Sequence, residues 1–177
     1  MFCRKQFALL GAALLLASVA VARGPLPSPQ EKDYLSESEA DKIRDADTAA
    51  LRIKLYISFA EDRLKKFEYE IHRSVPERRR AEILNALLNG YSACVDDAAD
   101  QIDVAQDKQM DIREALKMMR AKNEEFLETL QKYQKDGPEL DTYRDTLEDA
   151  IEGTKDALAD ADDARFIFQT VHPCSPL

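Results

Sequence analysis

Three residue types are scarce in this chain of 177 residues. It has no tryptophan, two histidines and five glycines, and four of the glycines lie beyond residue 22: Gly24, Gly90, Gly137 and Gly153. Alanine, leucine, glutamate, aspartate and lysine are common instead. Few glycines together with many good helix formers make the α-helix the only regular structure that we expect, so the sequence predicts an all-α fold.

Motifs of catalysis and metal binding are also missing from the sequence. A di-iron bundle uses Glu-x-x-His on paired helices, but Tyr69 lies three residues before His72 and Gln169 lies three residues before His172. There is no phosphate-binding loop, nucleophile elbow, HExxH motif or EF-hand loop. We therefore predict that the protein is not an enzyme and uses no cofactor, and we interpret His72 as a helix-end residue.

A long apolar run occurs only near the start of the chain. Arg4 and Lys5 precede this run, which extends over 7–17, and Ala20-Val21-Ala22 fits the small-x-small pattern of a signal cleavage site. We predict a cleaved signal peptide at 1–22 and an exported protein, periplasmic or extracellular, with no integral membrane span after cleavage. An uncleaved anchor is the alternative, but the run is shorter than the roughly 20 residues of a spanning helix.

Positive charge is scarce as well. Removal of the signal peptide takes away Arg4 and Lys5 and no acidic residue, so the formal net charge of -9 becomes -11. A chain this acidic is a poor general binder of nucleic acid, and we expect no nucleic-acid partner. The partners that we expect are a protein or another component of the cell envelope, or a second copy of the chain in a homodimer.

Local signals divide the mature chain into a linker and three helices. Prolines stand at alternate positions within 23–35, which we interpret as an extended, disordered linker. Three capping residues, each three positions before a glutamate, predict helix starts: Ser36 with Glu39, Ser74 with Glu77, and Asp136 with Glu139. The predicted helices span about 36–73, 76–135 and 138–170, within a helical domain at 36–170.

Apolar residues follow alternating steps of three and four along all three predicted helices, as in a coiled coil. This seam passes through Gly90 without a change of phase, and only Gln109 and Asn123 are polar among the fifteen seam positions of the second helix. The fold class that we predict is an elongated antiparallel three-helix coiled-coil bundle with one long central helix. The alternative is an up-down four-helix bundle, which requires the second helix to break near 106–109.

Two cysteines remain after signal cleavage, and an even pair in an oxidising compartment predicts a disulfide. If the third helix runs antiparallel to the second, Gln169 lies level with about residue 105 of the second helix. Cys94 is then about 16 Å further along that helix, a distance that five extended residues cover. We predict a Cys94–Cys174 disulfide that ties back a C-terminal tail at 171–177. The alternatives are a buried free Cys94 with a tail thiol that is free to dimerise, and an exposed pair of thiols that never meet.

Charged residues are concentrated in three places. Seven basic residues and three acidic ones lie between Arg63 and Arg80, which predicts a basic tip that contacts an anionic envelope component through Arg78, Arg79 and Arg80. Two acidic ridges follow one face of the second and third helices: Asp96, Asp100, Asp103 and Asp107, and Asp156, Asp160 and Asp163. Weak divalent-cation binding is the functional interpretation of the ridges. The structural interpretation of tip and ridges is a solvated face that keeps a long bundle soluble.

A second apolar row on the first helix consists of Leu51, Leu55 and Phe59, apart from the seam. One partner helix does not cover both rows, so this row meets another helix of the chain or forms a surface for a dimer or client protein. We predict a non-catalytic structural or interaction protein of the cell envelope that acts as a scaffold or adaptor. The alternative is a periplasmic binding module, either a chaperone-like holdase or a weak divalent-cation-responsive sensor.

Overall fold

The computed structural model describes residues 34–74 and 78–171, with side chains up to residue 168. This part of the chain contains no strand and has five helices: α1 Glu37–Asp45, α2 Ala49–Ile71, α3 Arg80–Asp107, α4 Arg113–Asp136 and α5 Arg144–Val171. A short 3₁₀ helix at Leu140–Thr142 precedes α5. The helices pack against each other, which confirms the predicted all-α class. The predicted signal peptide and most of the predicted linker lie outside the described residues.

The predicted seam residues form the core. Every seam position of α3 from Leu84 to Ala105 is buried, and so is every seam position of α4 from Ile112 to Tyr133. α5 contributes its seam from Tyr143 to Phe168. The three-four spacing therefore predicted correctly which face of each long helix is buried.

α2 and α5 do not occupy the positions expected beside one long central helix. Each of them packs against both α3 and α4. α2 and α4 run in the same direction, because Glu61 of α2 pairs with Lys122 of α4 at 3.6 Å and, further along both helices, His72 Nε2 lies 3.1 Å from the Tyr133 hydroxyl oxygen. This contact also agrees with the interpretation of His72, which caps the C-terminus of α2.

α3 and α5 also run in the same direction. The hydroxyl oxygens of Tyr91 in α3 and Thr154 in α5 lie 2.7 Å apart, and nearer the C-terminal ends of both helices Gln106 and Ile167 line the same cavity. Since α5 is antiparallel to α4, with Arg120 Nε 2.8 Å from the Asp162 carboxylate, α3 and α4 are antiparallel as well.

The continuous helix predicted over 76–135 is therefore wrong: α3 ends at Asp107 and α4 begins at Arg113. Gln109 has φ 52, in the left-handed region, and the Met110 N–H donates to the Ala105 carbonyl at 2.8 Å, a bond that closes the end of α3. Gln109 is a polar residue of the predicted seam, and the turn leaves it exposed instead of buried. The end of α3 falls in the 106–109 stretch where the alternative prediction placed a break.

Other helix boundaries show local chemistry that the sequence patterns captured in part. The capping box of Ser36 and Glu39 is confirmed at the start of α1. The first predicted helix is nevertheless interrupted, because Thr48 accepts the Leu51 N–H at 3.2 Å and begins a new helix, α2. α3 begins at Arg80 rather than at 76, and the intervening residues 75–77 lie outside the described part of the chain.

The last helix also begins later than predicted, at Arg144 instead of 138. Gly137 ends α4, and a Cβ atom at this position would collide with the Tyr133 carbonyl oxygen and the Tyr143 hydroxyl. Glu139 then takes the left-handed conformation with φ 53. The predicted Asp136–Glu139 helix start is therefore wrong, because Asp136 is the last residue of α4.

Candidate functional site: an acidic groove between α3 and α5

The two predicted acidic ridges lie side by side, and we call the surface that they form the acidic groove. Its members are Asp96, Asp100, Asp103 and Asp107 on α3, and Asp156, Asp160 and Asp163 on α5. α3 and α5 run in the same direction, so aspartates that repeat every three or four residues on each helix meet along the shared edge. Four of them (Asp100, Asp103, Asp160 and Asp163) line a cavity of about 180 Å³ that has Ile102 and Ala164 in its wall.

Among the described residues, no cation compensates the negative charge of the groove. None of its seven carboxylates forms an ion pair with another residue in the described ranges. Burial raises the pKa of Asp96, and the carboxylates of Asp100 and Asp156 raise it further. Burial likewise raises the pKa of Asp160, with added repulsion from Asp156, Asp103 and Asp163. Repulsion thus acts across the helix boundary as well as along each helix.

The arrangement of these carboxylates differs from that of a metal site. Within the described residues, no group of three or more His, Cys, Asp or Glu side chains is placed to hold a metal ion. The aspartates are instead exposed and distributed along two parallel helices. From Asp96 to Asp107 the α3 side of the groove extends about 16 Å at the helical rise. The carboxylates are therefore spaced to contact an extended ligand with several positive charges, and they do not converge on a single ion.

The predicted basic tip does not provide three free arginines. Arg80 Nη2 lies 2.6 Å from the carbonyl oxygen of Glu70 and 2.9 Å from those of Ile71 and Arg73, and Arg80 Nη1 lies 3.3 Å from the Glu139 carboxylate. These contacts satisfy carbonyls at the end of α2, which have no partner within the helix. Both terminal nitrogens of Arg80 are thus bound within the fold, and contact of the tip with an external anion stays a prediction.

The other cations of the tip have partners as well. Arg79 Nε lies 2.6 Å from the Glu82 carboxylate. Three more basic residues pair with carboxylates on their own helix or just beyond it: Lys65 with Glu61, Lys66 with Asp62, and Arg73 with Glu70. Arg78 is exposed. The tip is thus a set of short-range ion pairs and not a concentrated positive patch.

Arg63 forms a contact that no sequence pattern predicted. It is buried, and its guanidinium meets the Glu39 carboxylate of α1 at 2.7 and 2.6 Å. Arg63 Nη2 also donates to the Tyr34 carbonyl at 3.1 Å. The hydrogen bond from Arg63 is the largest of the effects that lower the pKa of Glu39 to about 2. The sequence marked Glu39 only as the partner of Ser36 in a capping box. That local pattern carries no information about Arg63, which lies 24 positions further along the chain.

The second apolar row does not form one surface. Leu51 is 48% exposed, Leu55 is partly buried against the core, and Phe59 is 6% exposed and belongs to the core. Burial of Phe59 in the core agrees with the interpretation that this row meets other helices of the same chain, and the alternative, a dimer or client surface, stays a prediction. Of the three residues, Leu51 is the most exposed.

The predicted disulfide involves Cys174, which lies outside the described residues, so the pairing stays a prediction. Cys94 is buried in the core, but the register assumed for it is not the observed one. Ile167 lies beside Gln106, twelve residues beyond Cys94 on α3 and about 18 Å away at the helical rise. α5 continues away from Cys94 to Val171, and three residues span at most about 11 Å. A Cys94–Cys174 disulfide would therefore require the last turns of α5 to unwind. Its signature is a linked Cys94–Cys174 peptide in a non-reducing digest.

Comparisons with known proteins gave no match. No family model matches the chain, and neither the curated proteins nor the solved structures that were searched include one with significant similarity. In the part of the chain that the structure describes, no helix is both long and apolar enough to cross a membrane.

Proposed function

We propose that this protein is an exported, non-catalytic scaffold or adaptor of the cell envelope, and that the acidic groove binds a positively charged segment of a partner protein. One observation carries this proposal: seven exposed aspartates on two parallel helices have no ion-pair partner among the described residues. A cationic partner relieves their mutual repulsion, whereas four exposed cations of the tip already have carboxylates beside them: Lys65, Lys66, Arg73 and Arg79.

The architecture that we propose for this role is an up-down four-helix bundle of α2 to α5. Its support is that α2 and α5 each pack against both α3 and α4, while neighbouring helices in the chain run in opposite directions. Such a bundle holds α3 and α5 in a fixed register. The groove is then a preformed surface, so binding orders few additional groups.

Electrostatics predicts the character of the interaction. Exposed charges separated by more than about 8 Å are screened at physiological salt, so each basic residue of a partner interacts mainly with the nearest aspartates. Attraction of this kind speeds association and weakens strongly as salt rises. We therefore expect fast, salt-sensitive binding of basic peptides.

A divalent-cation-responsive module is the second candidate. The observation in its favour is the raised pKa of Asp96 and Asp160, which burial causes in the first place and repulsion between carboxylates of both helices increases. Divalent cations near the groove would reduce this repulsion and stabilise the fold by binding only the folded state. The expected affinity is low, since the described residues provide no preformed metal site.

An oligolysine peptide tests the first candidate. We expect the wild-type chain to bind it at low salt, and the variant with Asp100, Asp103 and Asp160 changed to Asn to bind about tenfold more weakly, as measured by fluorescence anisotropy. A control with Glu37, Asp47 and Glu128 changed to Gln, Asn and Gln removes the same net charge from exposed positions outside the groove. Equal weakening in both variants would show that net charge, and not the groove, attracts the peptide.

Calcium provides the test of the second candidate. A thermal melt with millimolar CaCl₂ should raise the melting temperature of the wild type and of the control variant, and should leave the groove variant unchanged. A shift of equal size in all three proteins would exclude the groove as the cation-binding surface. Peptide binding without a calcium shift would favour the scaffold or adaptor role.

A further inference from the structure

Four polar or charged side chains are buried in the described part of the chain, and only one of them has no partner there. Arg63 pairs with Glu39, Glu70 pairs with Arg73, and the Thr154 hydroxyl bonds to Tyr91. Asn123 of α4 is 0% exposed, and neither its amide nitrogen nor its amide oxygen has a hydrogen-bond partner on the described protein. An unpartnered buried amide is unfavourable, so native proteins almost always satisfy such groups with protein or with ordered water.

The register of the helices places Asn123 at a level of the core with small side chains. The Lys122–Glu61 ion pair aligns α4 with α2, and the Arg120–Asp162 ion pair aligns α4 with α5. Within about one turn of Asn123 the three neighbouring helices contribute four buried alanines beside the larger Leu64 and Cys94. We call these alanines the alanine layer: Ala60 of α2, Ala98 of α3, and Ala157 and Ala161 of α5. Alanine carries a single methyl group, so this layer leaves more space around the bundle axis than layers built from leucine or phenylalanine.

The layers on either side of Asn123 are filled differently. Towards one end, the Phe126 ring packs edge-on against Tyr91, with ring centroids 5.7 Å apart. Towards the other end lie the fully buried side chains of Met119 and Leu116. The fully buried and unpartnered amide of Asn123 thus lies at the level of four alanines, and larger residues occupy the core above and below it.

We propose that the alanine layer is an internal hydration site, in which water molecules hydrogen-bond to the amide of Asn123. The amide supplies two N–H donors and an oxygen acceptor. One water accepts a hydrogen bond from Nδ2, another donates to Oδ1, and the two bond to each other, which meets the requirement that internal water have several polar partners. This site would also set the register of α4, because a shift of one heptad would move Asn123 among large apolar side chains.

Water contact can be measured at the Asn123 amide in the full ¹⁵N-labelled chain. We expect magnetisation transfer from water to the Asn123 NH₂ group with the sign of a long-lived complex. Asn85 is the internal control, because its Nδ2 donates to the carbonyls of Ala81 at 2.7 Å and Thr142 at 2.8 Å. The Asn85 amide lies at the surface, so its transfer reports exchange with bulk solvent, and an Asn123 amide without transfer of the sign expected for a long-lived complex would overturn the proposal.

Substitution by leucine provides a second test. In Asn123→Leu the NH₂ signal of Asn123 and its transfer from water should both disappear, and the missing signal assigns this amide in the wild-type spectrum. The melting temperature should rise by about 2–6 °C, because apolar packing replaces the polar group and its water. Asn85→Leu should instead lower the melting temperature, because it breaks bonds to protein groups. A folded Asn123→Leu variant that melts lower than the wild type would contradict the hydration site. The water measurement on the wild type decides the question if the variant does not fold.

Discussion

The basic tip and the acidic groove are both dense clusters of one charge in the sequence, but the fold treats them in opposite ways. At the tip, Arg80 binds main-chain carbonyls and Arg63 binds Glu39 in a buried ion pair. In the groove, carboxylates from α3 and α5 meet each other and no cation of the described chain. A charged residue becomes available to a partner only where its own fold leaves it without one.

The physical origin of this difference is position along the helices. The tip lies at helix ends, where carbonyls without a helical partner attract cations, and its basic residues stand three or four positions from acidic ones, as Lys66 does from Asp62. The groove runs along the C-terminal half of α3, up to its last residue Asp107, and along the middle of α5, and its aspartates repeat at steps of three or four on both helices. Placing these helices side by side concentrates like charge, whereas the tip intersperses opposite charges.

The largest expected effect comes from Arg80 at the tip. We expect Arg80→Met to lower the free energy of unfolding by about 3 kcal/mol, because several carbonyls of the α2 terminus lose their donor together with the Glu139 ion pair. Urea denaturation at neutral pH measures this change. Arg79→Met is the matched control and should cost less than about 0.5 kcal/mol, since its pair with Glu82 is exposed. Similar losses in the two variants would contradict a structural role for Arg80.

Glu39 should give the next largest effect, and its pH dependence has a definite sign. Its pKa falls from the ordinary value of 4.5 to about 2 in the folded state, so its contribution is present above pH 4.5 and is lost as pH falls towards 2. We expect Glu39→Gln to cost roughly 1–2 kcal/mol at pH 7 after screening, and to remove this loss on acidification. Parallel pH profiles for variant and wild type would show that the Arg63–Glu39 pair does not stabilise α1.

The groove should respond to acid in the opposite direction. Asp96 and Asp160 have folded pKa values above their ordinary 3.8, so their protonation favours the folded state and their contribution to stability rises as pH falls towards 3.8. We expect the Asp96→Asn, Asp160→Asn double variant to be more stable than the wild type by about 0.5 kcal/mol at pH 7. This advantage should shrink on acidification. A double variant that is less stable at pH 7 would mean that these carboxylates have partners within the fold.

The smallest effect is expected at an exposed ion pair of the tip. Lys66 Nζ lies 2.7 Å from the Asp62 carboxylate, and both side chains are largely in water. Lys66→Ala should therefore change the free energy of unfolding by only about 0.3 kcal/mol. A decrease in the free energy of unfolding of more than about 1 kcal/mol would show that exposed ion pairs also stabilise the tip. The difference between the Lys66–Asp62 pair and the contacts of Arg80 would then be small.

Sequence reasoning predicted the helical class, the buried faces and the Ser36 capping box, because periodicity and capping depend on residues a few positions apart. It did not predict the contacts of Arg80 with the end of α2 or the burial of Phe59, because both depend on residues in other elements or in a turn. The sequence also favoured one long helix through Gln109. An apolar seam can keep the same phase on both sides of a turn, so its continuity does not show whether the chain reverses direction there. The members of the groove were predicted, but their position beside each other was not.

The sequence by itself determined that the chain forms helices, which face of each is apolar and which faces carry charge, since each of these is a local property of 3.6-residue periodicity. Only the tertiary structure decided which faces meet. Asp96 and Asp156, which begin the two ridges, are sixty positions apart in the chain. The ridges face each other because the turn at Gln109 sends α4 back along the bundle and lets α5 run parallel to α3. Helix pairing depends on how all four long helices bury their apolar faces together, and no single segment contains that information.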